Sequence, residues 1–347
     1  MTPKELLQTI KPALQLAPRS STLQIIQSLR CDGGKVIGSD ISSQIEIECA
    51  EAGDWGVCVP AARLSAALGA LPDGQLASKV GDGRLTLTVG RARQTIPTLP
   101  VQDFPMIALQ CEIEWSPAGE IQQHIADVSV AAANQDVRYY LNAVHIDRKP
   151  SRTIVEASDG HRVSQATSDG GPALEVLVPR DAFKSIAACN WTEIGMARDK
   201  LALRGPGVVL IMSSVDGKFP DIGRVMPGFD KPVIFTANKS DILAALASGG
   251  AAARDSKYGG VKMTVGAIGG DVVFSSSSAD GSESTAACNV EGATQFTSGL
   301  NSGYLADAIN FVRGDTVTFR CESEQSAMLI TGDDEEKRKA VVMPMRL

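Results

Sequence analysis

The segment SDGH, from Ser158 to His161, places a hydroxyl, a carboxylate and an imidazole next to one another. These are the groups of a hydrolase triad, but triad members usually come from separate elements, because adjacent residues on one turn rarely align for proton transfer. Asp159 and Gly160 are typical of a tight turn instead. The pattern predicts a chain reversal, and we expect no catalytic residue in this protein.

Metal and phosphate sites are not indicated either. The histidines His124, His145 and His161 form no HExxH or comparable pattern. Gly-rich stretches beginning at Asp32 and Gly266 lack the spacing of a phosphate-binding loop and predict hairpin turns. No CxxC pair occurs, so we expect buried free thiols without zinc, disulfides or a cofactor. The seven cysteines are Cys31, Cys49, Cys58, Cys111, Cys189, Cys288 and Cys321.

Length and composition are those of a multidomain globular protein. The chain has 347 residues, more than one core normally supports, which predicts two or three domains. Its longest apolar runs, such as residues 207–212, are far shorter than the ~20 residues of a membrane span. The N-terminal segment lacks the pattern of a signal peptide, so we expect a cytoplasmic protein.

The net charge of -7 argues against a protein that holds DNA by bulk electrostatics. Any association with DNA is then local or topological. An alternative explanation is that the acidity only keeps a cytosolic protein in solution, and composition does not decide between the two.

Three segments of the chain share one pattern. Each opens with an amphipathic helix pattern, beginning at Thr2, Ser116 and Asn238, and Ser116 with Pro117 resembles a helix N-terminus. A second helix pattern begins at Val59, Val178 and Leu300, at spacings of 119 and 122 residues. Spacings of 114 and 122 residues between the first helices make coincidence improbable.

Alternating, β-branched runs closed by Gly and Asp turns lie between the helix patterns and predict hairpin strands. A Phe-Pro pair recurs at Phe104 and Phe219, 115 residues apart. We therefore expect an α+β fold of three tandem repeats, each with two helices packed on antiparallel sheet. The predicted domains are residues 1–112, 113–230 and 231–347.

Two copies of such a chain would arrange twelve helices around a central hole, and four segments then become informative: residues 135–144, 157–163, 215–227 and 341–347. In order, type and spacing they resemble the β sliding clamp family, the processivity subunit of bacterial DNA polymerase III. The C-terminal VVMPMRL is the most specific of the four.

The resemblance implies a non-catalytic polymerase subunit and half of a ring-shaped homodimer, paired head to tail. Such a ring encircles duplex DNA without sequence specificity. It also tethers the DNA polymerase catalytic subunit, the clamp loader and other proteins that carry a clamp-binding peptide. A nucleoid-associated location in the cytoplasm is expected with it.

Client peptides of this family bind a pocket between the second and third domains. In this chain Met343, Met345, Val341 and Leu141 would give a deformable apolar floor, and Arg162 and Arg346 could hold peptide carbonyls or acidic groups. The positions that the resemblance assigns to the pocket are Leu141, Ser158, Gly160, His161, Arg162, Val163, Pro220, Arg224, Val225, Tyr258, Asn301, Tyr304, Val341, Val342, Met343, Pro344, Met345 and Arg346.

For DNA, the resemblance assigns Arg19, Gln135, Tyr139 and Tyr140. Arginine can meet phosphate, and tyrosine rings can stack on bases or lie against sugars. The alternative for the tyrosine pair is a half-buried strand feature. Three basic residues of the helix patterns are further candidates: Arg63, Lys184 and Lys239.

The sequence departs from the family in two places. Its first helix pattern begins at Thr2, without the usual preceding strand, and Ala252 and Ala253 stand where the family's ring interface has large aliphatic side chains. Each truncation of this kind removes about 2 to 5 kcal/mol of packing. We therefore expect a dimer that dissociates easily in ultracentrifugation, unless Ile96 and Leu99 compensate.

Two other functions are compatible with this pattern. One is a clamp-like decoy or regulator that keeps the peptide pocket but does not close around DNA. The other is an enzyme built on a repeated α+β scaffold, which would need converging acid, base or metal groups. The DNA candidates Arg19, Gln135, Tyr139 and Tyr140 favour the ring over the decoy.

Overall fold

The structure, a computed structural model, describes residues 1–109, 111–253, 259–266 and 270–346. The chain forms two compact units: unit 1 comprises Met1–Gln122 and Asp181–Ser214, and unit 2 comprises Gln123–Arg180 and Val215–Leu347. Both units are α+β, as predicted. Among the described residues, no helix is both long and apolar enough to cross a bilayer.

The α-helices alternate with hairpin strands along the chain. They are α1 (Pro3–Leu16), α2 (Ala50–Gly53), α3 (Ala61–Ala70), α4 (Ile121–Val128), α5 (Phe183–Ala187), α6 (Lys239–Gly249) and α7 (Ser302–Phe311). Short 3₁₀-helical turns occupy Gln24–Gln27, Val101–Asp103, Ser129–Ala131, Tyr139–Leu141, Arg180–Ala182, Ile222–Arg224 and Ala251–Ala253.

The strands are four to seven residues long and pair in antiparallel fashion. They are β1 (Ser28–Asp32), β2 (Lys35–Ser39), β3 (Ser43–Glu48), β4 (Val57–Pro60), β5 (Ala77–Gly81), β6 (Arg84–Val89), β7 (Ala92–Pro97), β8 (Glu114–Pro117), β9 (Ala143–Lys149), β10 (Arg152–Ser158), β11 (Arg162–Ser168), β12 (Leu174–Pro179), β13 (Glu193–Ala197), β14 (Lys200–Gly205), β15 (Val208–Ser213), β16 (Val233–Asn238), β17 (Gly260–Val265), β18 (Asp271–Ser277), β19 (Glu283–Asn289), β20 (Phe296–Asn301), β21 (Thr316–Arg320), β22 (Met328–Thr331) and β23 (Arg338–Val342).

Helix α1 shows how the sequence determines the helical layer. Thr2 accepts a hydrogen bond from the Glu5 backbone, and the Glu5 side chain accepts one from the Thr2 backbone, which completes a capping box. Leu6 and Ile10 are fully buried on one face. The helix therefore begins at Pro3, as the sequence predicts, and no strand precedes it.

The predicted helix start at Ser116 is wrong. Ser116 belongs to β8, where it pairs with Ile194 of β13, and α4 begins only at Ile121, after Gly119 in the left-handed conformation (φ +57°). Pro117 ends a strand at the edge of a sheet, where a missing N–H is tolerated. The second helix of this repeat, α5, is reduced to five residues.

One eight-stranded sheet runs through each unit. Unit 1 has the order β4-β1-β2-β3-β15-β14-β13-β8, and unit 2 has the order β12-β9-β10-β11-β23-β22-β21-β16. Each sheet joins four strands from one predicted repeat to four from the next, through the pairs β3·β15 and β11·β23. The strands of the middle repeat are thus shared between the two units.

Each unit has one further, smaller sheet. In unit 1 it has three strands, in the order β5-β6-β7, and in unit 2 it has four, in the order β19-β18-β17-β20. The first repeat lacks a strand here because α1 begins at once. Exposed and half-buried residues alternate along all of β19 and most of β7, whose Ile96 is buried.

The predicted turns and thiols are largely found. Gly33 and Gly34 both have positive φ, as a two-residue hairpin between β1 and β2 requires. The turn predicted at Gly266 continues into residues 267–269, which lie outside the described part. Four cysteines are buried and two are half-buried, but Cys111 is exposed, so that part of the prediction is wrong. Burial raises the pKa of the Cys58 thiol to about 11.

Candidate functional site

A cavity of about 230 Å³ opens in unit 2, beside the pairing of β11 with β23. Its walls come from these strands, the turn between β10 and β11, the loop before β9 and the 3₁₀ turn Ile222–Arg224. The lining residues are Arg138, Tyr140, Leu141, Ser158, Gly160, Arg162, Val163, Pro220, Asp221, Ile222, Val225, Val341 and Met343.

The floor of the cavity is apolar and rigid. Leu141, Val163 and Val341 are at most 5% exposed and belong to one core cluster. At the mouth, Val225 is 47% exposed and Met343 is 39% exposed. A buried apolar floor below exposed apolar side chains, one of them a flexible methionine, suits the entry of apolar anchors from a peptide.

The SDGH segment forms the predicted turn. The Ser158 hydroxyl donates to the carbonyl of Arg162 at 2.8 Å and accepts from the Gly160 backbone at 3.0 Å. An Asp159 carboxylate oxygen accepts from the backbones of His161 and Arg162. The hydroxyl and carboxylate therefore hold the backbone of the turn rather than forming a relay with the imidazole.

Arg162 fixes one wall of the cavity. Its guanidinium donates to Asp159 at 2.9 Å, to Asp307 of α7 at 2.5 Å and to the carbonyl of Val130. The same group stacks 4.2 Å above the Tyr304 ring. These contacts position α7 against β11, and two of the five guanidinium N–H groups remain for the predicted contact with peptide carbonyls.

The remaining predicted pocket residues lie around this wall or outside the cavity lining. Asn301 caps α7 by accepting from the Tyr304 backbone at 2.9 Å. Val342 is fully buried in β23, and Arg224 pairs with Asp221. His161, Pro344, Met345 and Arg346 are described residues that do not line the cavity. Tyr258 lies outside the described residues.

Three lining residues were absent from the predicted pocket and DNA sets: Arg138, Asp221 and Ile222. They lie inside the segments 135–144 and 215–227 that carry the family resemblance, so that signal was available. Tyr140, predicted for DNA, lines the cavity as well.

The loop before β9 presents the other DNA candidates. Gln135 adopts the left-handed conformation (φ +58°), and Tyr139 is 56% exposed. The Tyr139 and Tyr140 rings meet edge to face, with their centroids 5.8 Å apart. Val137, which lies between Gln135 and the two tyrosines in the sequence, is 96% exposed. The loop therefore offers a protruding, partly apolar surface.

Arg19 belongs to unit 1 and lines a second cavity, of about 540 Å³, together with Arg63. Lys184 lines another cavity of unit 1 with Lys11, which leaves these cations available to phosphate. Lys239 is different, because its ammonium donates to the carbonyls of Asn310 and Val312 at the end of α7. Lys239 therefore stabilises a helix C-terminus, and its contact with DNA stays a prediction.

Comparisons with known proteins agree with this architecture. Residues 117–221 match the family model described as DNA polymerase III beta subunit, central domain. The beta sliding clamp of Pseudomonas putida is 28% identical, over 94% of this chain and 92% of that protein. That of Pseudomonas aeruginosa is also 28% identical, over 99% and 98%.

Solved structures agree as well. A DnaN sliding clamp from Pseudomonas aeruginosa bound to griselimycin gives a TM-score of 0.89 at 24% identity, over 100% of this chain and 98% of that one. The Thermotoga maritima DNA polymerase III beta subunit gives 0.88 at 19% identity, over the same shares. The fold of this chain is therefore that of the sliding clamps. In sequence, the chain is similar along nearly its whole length to bacterial beta sliding clamps, and residues 117–221 match the central domain of the DNA polymerase III beta subunit.

Proposed function

We propose that this chain is a DNA polymerase processivity factor. Two copies pair head to tail into a ring that encircles duplex DNA without sequence specificity. The cavity beside Met343 tethers the DNA polymerase catalytic subunit, the clamp loader and other proteins through short peptides. The subunit has no catalytic role of its own, and it works on the nucleoid in the cytoplasm.

One topological observation carries the proposal. Each eight-stranded sheet joins the third strand after the first helix of one repeat to the last strand of the next repeat, β3 to β15 and β11 to β23. The strand equivalent to β3 and β11 in the third repeat is β19, and the strand equivalent to β15 and β23 in the first repeat is β7. Both lie at sheet edges, with one side unpaired among the residues that the structure describes. Applying the same joint between two copies pairs β19 of each with β7 of the other and closes the ring.

The register of this joint follows from the chain itself. Glu283 is the first paired residue of β19 after its hairpin turn, as Gln44 is in β3. Thr95 is the fourth paired residue of β7 after its hairpin turn, as Ile211 is in β15. Because Gln44 pairs with Ile211, Glu283 is expected opposite Thr95, and Ala286 opposite Ala92. Arg93 then lies diagonal to Glu283, a favourable charge pair across the joint.

The predicted interface alanines occupy different environments. Ala252 is half-buried and its backbone N–H donates to Ser284 of β19 at 3.1 Å, which places it beside the free edge. Ala253 is 1% exposed and packs within unit 2. Ile96 is 3% exposed and is covered within unit 1. Leu99, which is 39% exposed, is therefore the side chain of the two that can compensate the packing lost at the alanines. A weakly held dimer stays our prediction.

The three-domain division at residues 112 and 230 belongs to the same proposal. Its basis is the recurrence of two helices and of half-sheets along the chain. These repeats do not coincide with the two compact units, because the strands of the middle repeat are divided between them. The DNA contacts are assigned to Arg19, Gln135, Tyr139 and Tyr140, and the peptide contacts to the residues around the cavity.

Retention on circular DNA tests the ring. Fluorescent protein is loaded by a clamp loader onto nicked circular DNA, separated by gel filtration, and the DNA is then cut once. We expect the protein to remain on the circle at high salt and to be lost after cutting, because topology rather than charge holds it. Uncut circle carried through the same steps is the control. Loss that is independent of cutting would support the decoy function instead.

A further inference from the structure

We infer that Arg138 couples the two ligand sites of unit 2, so that a peptide in the cavity strengthens the contact of the loop 134–140 with DNA. The inference rests on the proposed function, since it assumes that both ligands bind. It assigns to Arg138 the role of a positioning residue, which acts on DNA through the loop that it holds.

The loop is braced from within. The backbone N–H of Asp136 donates to the Asn142 side chain at 2.9 Å, and the Asn142 amide donates back to the Asp136 carbonyl at 2.9 Å. Val137 and Tyr139 lie just beyond this brace and are the most exposed large side chains of the loop. The position of Asp136 therefore sets the position of the surface offered to DNA.

Arg138 holds the Asp136 carboxylate by both oxygens. Its Nε lies 3.0 Å from Oδ1, its terminal nitrogen lies 2.9 Å from Oδ2, and its backbone N–H lies 2.7 Å from Oδ1. These bonds lower the pKa of Asp136 to about 2. A two-point ion pair of this kind fixes orientation as well as distance.

The same guanidinium reaches the turn that forms the cavity. It donates to the Asp159 carbonyl at 3.1 Å and lies flat against Gly160, where an added Cβ would approach its nitrogens to 2.8 Å. Gly160 has φ +88°, which favours glycine, and a side chain at this position would displace the Arg138 guanidinium. Arg138 thus lines the cavity and also holds the loop 134–140 in place through Asp136.

A peptide in the cavity changes the surroundings of this one side chain. It removes water from the cavity face of the guanidinium, which strengthens the ion pair with Asp136 in a less polar environment. The peptide also restricts the rotamers of Arg138, so part of the entropy lost on ordering the loop is already lost before DNA binds. Both effects favour DNA contact, and linkage requires that DNA strengthen peptide binding by the same factor.

The coupling is measured by titrating the intact protein with a fluorescent pentapeptide containing leucine and phenylalanine, with and without saturating short duplex at low salt. We expect DNA to tighten peptide binding about fivefold in the unmodified protein. Arg138→Ala and Asp136→Asn should reduce that factor to about one. Arg138→Lys should give an intermediate factor, since an ammonium keeps the charge but not the two parallel bonds.

Arg152→Ala is the matched control, because it removes an exposed arginine of unit 2 outside both sites and should keep the full factor. Circular dichroism checks that each variant is folded. A factor of one in the unmodified protein, or a fivefold factor that survives in Arg138→Ala, would overturn the coupling. Failure of the unmodified protein to bind either ligand would instead count against the proposed function.

Discussion

One turn occurs twice in this chain, with the same hydrogen bonds and different residues. Ser39 donates to the Ser43 carbonyl at 3.0 Å, as Ser158 does to Arg162 at 2.8 Å. The residue two positions after each serine has positive φ, +88° at Gly160 and +81° at Ile41. A β-branched side chain in the left-handed region is strained, and Ile41 is also 57% exposed, so little burial compensates the strain.

Ile41→Asn should therefore stabilise unit 1 by about 1 kcal/mol, because asparagine tolerates the left-handed region and little buried area is lost. The midpoint of urea unfolding measures the effect. Leu23→Asn is the control: this side chain is 43% exposed at φ -93°, so its replacement relieves no strain and should give no gain. An unchanged or lower midpoint for Ile41→Asn would show that the strain is absent.

At the scale of elements, the joints β3·β15 and β11·β23 have equivalent backbone pairing but differ in what lies beside them. A polar side chain fills the first, and an apolar cavity opens at the second. At the first joint, the backbone N–H of Ser213 donates to the Ser42 carbonyl at 2.8 Å. At the equivalent place in the second joint, the backbone N–H of Met343 donates to the His161 carbonyl at 2.9 Å. Gln44 of β3 stands at the position of Val163 in β11. The Gln44 amide oxygen accepts a hydrogen bond from the Ile107 backbone at 2.8 Å. At the joint β3·β15, a hydrogen-bonded polar side chain therefore occupies the place that the cavity floor has at β11·β23.

Val163→Gln should give unit 2 the same polar filling and close its cavity. By its spacing from the Phe-Pro pair, Ile222 is the counterpart of Ile107, and its backbone N–H would donate to the new amide oxygen, so we expect the protein to fold. Peptide affinity should fall at least about tenfold, because an apolar floor becomes polar. Fluorescence anisotropy measures it, and Val233→Gln, a change at a 40% exposed position, is the control. Unchanged affinity would place the peptide elsewhere.

The sequence predicted those elements whose signals are local. Alternating runs became hairpins, and Thr2, Asn238 and Asn301 cap the helices that they precede or begin. Ser116 carried an equally good local signal, yet it pairs with Ile194, a partner 78 residues away that no local pattern reveals. Long-range pairing overrode propensity there.

The family resemblance assigned many of the residues that line the cavity, although their binding role stays a prediction. Leu141, Val163 and Val341 are among them. The contacts of Arg162 within unit 2 and the bridging position of Arg138 were not predicted, because both depend on side-chain directions across two elements. Such directions follow from the folded backbone, and residue types alone do not specify them.

At the scale of the whole molecule, the joints within the chain predict the joint between chains. Four strands from one repeat meet four from the next at β3·β15 and β11·β23. A third joint of the same kind between copies would pair three strands of one chain with four of the other. Fewer strands and the small Ala252 beside β19 would give this joint less apolar contact, so we expect it to be the weakest of the three joints.

The register of that joint can be tested by cross-linking. With Glu283 opposite Thr95, the variant Ala92→Cys/Ala286→Cys brings two thiols from different copies into the Cβ separation that a disulfide requires. Mild oxidation should produce a covalent dimer on a non-reducing gel, and each single variant controls for the native thiols. Ala92→Cys with Thr285→Cys is the matched control, because adjacent strand residues point to opposite faces of the sheet. Cross-linking as fast in this control as in the first variant, or in neither, would mean that β7 and β19 do not pair in this register.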